Sequence, residues 1–249
     1  MENDEINVYW SPQVTSEVPS LGEWNMLFPE PVTLFSDLMS QKLPDAGKET
    51  YLVCPATSAR FKKTLVFKNV LESNYEFDFT SKKKEQKYFT RSSKTGLGFE
   101  ILRPPTIAAG PLVSFNLHYA FFADKPLEAL TTPPMFHKPQ YTKMGTSIPG
   151  QFDIGQWFRP FTFEVQMWDM KGEFHLKEDE PLFYVEFKTS KKINFHRFRM
   201  NAILKSYIDA CVDARKYYGE NLPLWKRYKH FNQSRMPDLV LKQIKENLI

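Results

Sequence analysis

The 249-residue chain carries 42% hydrophobic and 25% charged residues with a formal net charge of +4, which excludes a mostly disordered protein. No run approaches the ~18 consecutive apolar residues of a membrane span, and the acidic opening MENDEINVYWSPQV lacks the basic-then-apolar order of a secretory signal. Cys54 and Cys211 are too few for a secreted disulfide framework, so both are expected to be reduced and packed in a soluble cytoplasmic protein without membrane contact.

Aromatic residues make up 15% of the chain. Such rings suit pleated, half-buried surfaces, so a β-rich core is expected. Residues 1–50 hold many turn formers and few periodic runs, and read as an N-terminal arm packing on the core. Within it Leu34, Phe35 and Leu38 fall at helical spacing behind Pro31. The strand signal begins near Tyr51. TLVFKNV sets Leu65 and Phe67 against Thr64, Val66 and Lys68, and YEFDF places Tyr75, Phe77 and Phe79 on one face. The basic run 81–95 reads as an exposed loop. LVSFNLHYAFF gives the longest alternation, with Val113, Phe115, Leu117, Tyr119 and Phe121 sharing a face.

Residues 124–160 are rich in Pro, Thr, Gly and Lys, and read as a long excursion of the kind that often carries function. FTFEVQMW alternates again, with Phe161, Phe163, Val165 and Met167 inward. A hairpin turn is expected at Asp169–Gly172, leading into EFHL with Phe174 and Leu176 on the core face. An EDEP turn then precedes LFYVEF, where Phe183, Val185 and Phe187 alternate. From about Phe195 the period becomes helical, through Met200, Leu204, Tyr207, Cys211 and Tyr218, and Pro223 and Pro237 open two further short helices. The fold expected is mainly β, an antiparallel β-sandwich or jelly roll over 51–194, ending in a helical segment over 195–249 of the same domain.

Chemistry is thinly signalled. A jelly-roll iron site needs a carboxylate two residues after a histidine. The residues in that position are Ala120, Pro139, Lys177, Phe198 and Asn232, none of them acidic. No Cys-x-x-Cys pair, phosphate-binding glycine loop or Gly-x-Ser-x-Gly elbow occurs, so no metal or cofactor is expected. Two constellations remain. His118, Glu164 and His175 would form an acid/base or small-ligand site if neighbouring strands brought them onto one polar sheet face. Two half-exposed histidines on a solvated sheet face are the simpler account of the same residues. Charge is also uneven: residues 81–95 carry a net +5 and residues 197–235 a net +6. There Lys82, Lys83, Lys84, Lys87, Tyr88 and Arg91, and then Lys226, Arg227 and Lys229 beside Trp225 and Tyr228, interleave base and ring as single-stranded nucleic-acid binders do. A helix with its rings in the core and its lysines snorkelling outward gives the same pattern.

YLVCPATSARFKKTLVFKN at 51–69, GFEILRPP at 98–105, FTFEVQMWDMKGEFHLKEDEPLFYVEF at 161–187 and the ending RYKHFNQSRMPDLVLKQIKENLI resemble uncharacterised proteins of tailed bacteriophages, large marine ones in particular. The chain is also similar to bacterial domains of unknown function whose β-rich centre ends in a turn where Asp179, Glu180 and Pro181 stand. The resemblance implies a virus-encoded protein of the host cytoplasm, or one associated with the virion. It assigns no residue a role. A non-enzymatic accessory protein acting through a protein partner or self-association is the reading the sequence favours.

Overall fold

A computed structural model describes residues 5–12, 28–41, 51–80, 89–91, 99–103, 110–217 and 224–249. In chain order, strand β1 (Glu5–Pro12) and the short β2 (Val32–Thr33) lead into helix α1 (Leu34–Ser40), whose first turn is capped by Thr33 accepting from the Ser36 N–H at 3.1 Å. Helix α2 (Pro55–Phe61) opens on proline and precedes β3 (Thr64–Lys68), β4 (Ser73–Asp78), β5 (Phe89–Arg91) and β6 (Phe99–Arg103). Strand β7 (Leu112–Ala123) is followed by β8 (Glu128–Thr132), β9 (Gly145–Ser147), β10 (Gly150–Asp153), β11 (Pro160–Met167), β12 (Lys171–Leu176), β13 (Pro181–Phe187) and β14 (Lys192–Arg197). Helices α3 (Ala202–Tyr217), α4 (Leu224–Gln233) and α5 (Met236–Lys245) close the chain.

The protein is a mainly β sandwich. One layer runs β14-β1-β7-β11-β9, and β6 shares with β1 the edge of the long β7. Facing it are β10-β8-β13-β3-β2 and β12-β4-β5. These last two are one bent surface. Lys68 pairs with Pro181 and Ser73 with Leu176, and between them Asn69 donates to the Glu180 carbonyl and accepts from the Asp179 N–H at 2.9 and 2.8 Å, so β3–β4 and β12–β13 turn the same corner together. Asn69 fixes that corner through its side-chain amide, which donates to the carbonyls of Leu71, Leu176 and Lys177 at 2.6, 3.1 and 2.9 Å. Asp179, with φ 59°, makes the tight turn opposite.

The alternations seen in the sequence fill the space between the layers. Val113, Phe115, Tyr119, Phe121, Phe161, Phe163, Val165 and Met167 project from one layer; Leu65, Phe67, Tyr75, Phe77, Phe174 and Phe183 meet them from the other. Phe67 stacks on Phe183 (5.0 Å, 7°) and stands edge-on to Tyr119, Phe161 and Phe121 at 5.4, 5.5 and 5.7 Å. Each such pair adds about 0.5–1.5 kcal/mol to the area it buries. Strand β7 ends Ala-Phe-Phe-Ala, without a polar residue, because both its faces are covered. Ala120 and Phe122 point outward under the C-terminal helices, against Leu204, Ile208, Phe231, Val240 and Ile244. On the far side α1 and α2 cover Val66 and Tyr184 with Leu34, Leu38 and Phe61.

Several expectations are corrected. Asp169–Gly172 is no hairpin turn: both edges of β11 are taken, by β7 and β9, so the chain crosses to the opposite layer. Phe79 N–H bonding to the Met170 carbonyl at 2.7 Å holds that crossover. The helical period does not start at Phe195. Ile193 and Phe195 alternate in β14, laid parallel on β1, so the sandwich is not wholly antiparallel. Helix begins at Ala202, where Asn201 accepts from the Leu204 N–H at 2.8 Å. The 124–160 excursion holds three short strands, β8, β9 and β10. The segment expected to be an arm supplies β1, threaded between β14 and β7, with Ile6, Val8 and Trp10 in the core. Both cysteines are free thiols. Cys211 is buried, which pushes its pKa to about 12, whereas Cys54 is exposed.

Candidate functional site

The sandwich separates two of the residues expected to converge, Glu164 and His175. Glu164 alternates with core-facing Phe163 and Val165 on β11, and His175 alternates with core-facing Phe174 and Leu176 on β12. The two strands belong to opposite layers, so these side chains point away from each other across about 10 Å of core. His175 bonds locally, Nδ1 2.6 Å from Asn74 Oδ1 and Nε2 3.1 Å from Glu173 Oε2. His118 lies on β7, in the Glu164 layer, with its side chain outside the described residues. Glu164 accepts from the Thr162 hydroxyl at 3.3 Å, and with Arg159, Gln151 and Thr131 lines a groove of about 300 Å³ beside β10.

The basic candidates are only partly visible. Lys82, Lys83, Lys84, Lys87 and Tyr88 lie outside the described residues, as do the side chains of Arg91 and Arg227. Lys226 and Lys229 are exposed on α4, whose Phe231 packs inward. The side chains of Trp225 and Tyr228, the rings of that pattern, lie outside the described residues. Among the described residues no three His, Cys, Asp or Glu side chains come together to hold a metal, and no helix is long and apolar enough to cross a membrane.

A buried polar chain that the sequence did not suggest ties α1 to the loop after β8. His137 Nε2 lies 2.8 Å from Asp37 Oδ2, and its Nδ1 lies 2.6 Å from the Tyr184 hydroxyl, which accepts from the Phe136 N–H at 3.0 Å. Asp37 and the Tyr184 hydroxyl thus engage the two ring nitrogens, and the side-chain amide nitrogen of Gln41 lies 2.8 Å from Nε2 as well. Lys68 holds the other Asp37 oxygen at 2.8 Å and reaches Asp179 at 3.2 Å. Burial alone would raise the Asp37 carboxyl, but the bonds from His137 and Lys68 outweigh it and hold the pKa at about 2. Both ring nitrogens of His137 are engaged, so this chain is a clasp. Tyr184→Phe should remove the partner of His137 Nδ1 and of the Phe136 N–H and cost about 1 kcal/mol in urea denaturation.

Among the described residues the outer edge of β14 is one of the open sheet edges. Phe198 donates its N–H to the Trp10 carbonyl at 3.0 Å, so by alternation the even residues of β14 bond to β1, and Ile193, Phe195 and Arg197 direct their backbone groups away. Asn247–Ile249 already use this outer side. Ile249 donates to the Arg197 carbonyl at 3.0 Å and Arg199 to the Asn247 carbonyl at 2.8 Å, an antiparallel bridge centred on Phe198 and Leu248. Beyond it, among the described residues, no strand pairs with Ile193 or Phe195 on that side. Phe195 is 38% exposed, while its ring keeps a 5.8 Å contact with Phe187. No protein-family model matches the chain, and a search of curated proteins finds no match either.

Proposed function

We propose that the chain is a bacteriophage accessory protein that works without catalysis, through protein–protein contacts centred on the open edge of β14. The observation carrying this is that Asn247–Ile249 bond to one end of that edge, while among the described residues no strand pairs with its first half. An open edge presents a row of unpaired N–H and C=O groups, and strand addition to it is a recurring mode of peptide recognition. The phage assignment rests on the sequence resemblance.

Phe195→Pro tests the reading, because it removes one outward N–H from an edge strand, where proline is tolerated, and spares the ladder to β1. Host and phage proteins retained by the wild type and lost by Phe195→Pro are the expected result. An identical set retained by both proteins contradicts it. The Glu164 groove supports a second reading, binding of a small polar ligand, because Glu164, Arg159 and Gln151 line it together. Thermal stabilisation by a small polar ligand, lost in Glu164→Gln, would favour that account.

A further inference from the structure

We infer that the occupant of the β14 edge is an extended acidic segment of a partner protein, added antiparallel to β14 in line with Asn247–Ile249. The inference rests on the strand-docking reading above and gives the partner its chemistry. Three features of the edge define that chemistry.

The first is direction. The bridge between Phe198 and Leu248 shows an antiparallel strand seated on the outer side of the edge. Continued in the same register, an added strand runs back along Arg197, Phe195 and Ile193, whose N–H and C=O groups point toward it.

The second feature is charge. Lys191, Lys192, Arg197 and Arg199 crowd nine residues that contain no carboxylate. Glu5, on the neighbouring strand, answers one of them, its Oε1 lying 3.0 Å from Lys192 Nζ. Arg197 lies 5.0 Å over the Trp10 ring, while Lys192 and Arg199 are exposed. Opposite charges across a strand pair stabilise it and like charges destabilise it. A second copy would bring the same excess of positive charge to this edge, and like-charge repulsion opposes its approach.

The third feature is a pattern. Ile193, Phe195 and Arg197 align with core-facing Ile6, Val8 and Trp10, and Ile193 packs on the core. Lys192, Asn194 and His196 lie on the other face, where they meet Glu5 and Asn7. A fitting segment therefore alternates apolar residues, beside Ile193 and Phe195, with carboxylates, beside Lys192 and His196.

The probe is a fluorescein-labelled peptide of about six to eight residues that alternates Glu with Val or Thr, compared by anisotropy with the same peptide carrying Lys for Glu. Expected is binding of the glutamate peptide at least about tenfold tighter than the lysine peptide, weakening as salt rises and falling about tenfold in Lys192→Glu. Phe195→Pro should abolish it. Equal binding of both peptides would overturn the charge assignment, and binding that survives Phe195→Pro would overturn the site. If the glutamate peptide fails to bind while Phe195→Pro still loses cellular partners, the acidic partner is wrong and strand docking stands. A concentration-dependent dimer abolished by Phe195→Pro would instead make a second copy the occupant.

Discussion

Phe67→Ala is expected to cost about 4 kcal/mol, because a buried phenylalanine truncated in a packed core loses its transfer energy and leaves a cavity. Phe67 is 3% exposed and touches rings from both layers: Phe183 in its own, and Tyr119, Phe121 and Phe161 in the one opposite. Such a cost is a large share of the roughly 5–15 kcal/mol that holds a domain folded. Urea denaturation checks it: the midpoint should fall with little change in slope. Phe195→Ala, on the exposed edge, should move the midpoint by only about 0.5 kcal/mol. If the two variants were equally destabilised, the sandwich interior would not be centred on Phe67.

Asp37→Ala is expected to cost about 3 kcal/mol, since it leaves His137 and Lys68 without the carboxylate they share in a buried position. The same contact makes stability depend on acid. The Asp37 pKa lies at about 2 in the folded protein against an ordinary 3.8. A depressed folded pKa gives stability that is fully present above 3.8 and is lost as the pH falls from there toward 2. The loss amounts to about 2 kcal/mol over that window. Denaturation midpoints measured between those limits should show this slope in the wild type and a shallower one in Asp37→Asn. A slope unchanged by Asp37→Asn would mean that other carboxyls carry the acid sensitivity.

Alternation made the interior legible and the edges illegible. Phe161, Phe163, Val165 and Met167 face the core as their spacing implies, because one polar neighbour between each pair faces outward. Ile193 and Phe195 carry the same signal, but the apolar run that follows from Phe198 reads as a helix and absorbed them. Only strand order could reveal that Glu164 and His175 lie in opposite layers, and no local pattern encodes it. The Asp37–His137–Tyr184 clasp was hidden for a related reason. His137 sits in a proline-rich stretch without periodicity, and Asp37 lies 100 residues away. Its single advance sign was an aspartate on the face of α1 that also carries Leu34 and Leu38.

Residue-resolved hydrogen exchange along β14 tests the central claim most directly. The account predicts slow exchange at Asn194, His196 and Phe198, whose amides bond to β1, and fast exchange at Ile193 and Phe195. Addition of the alternating glutamate peptide should slow the fast pair at least about tenfold. Protection of Ile193 and Phe195 in the protein alone, or no change at either with the peptide bound, would contradict it.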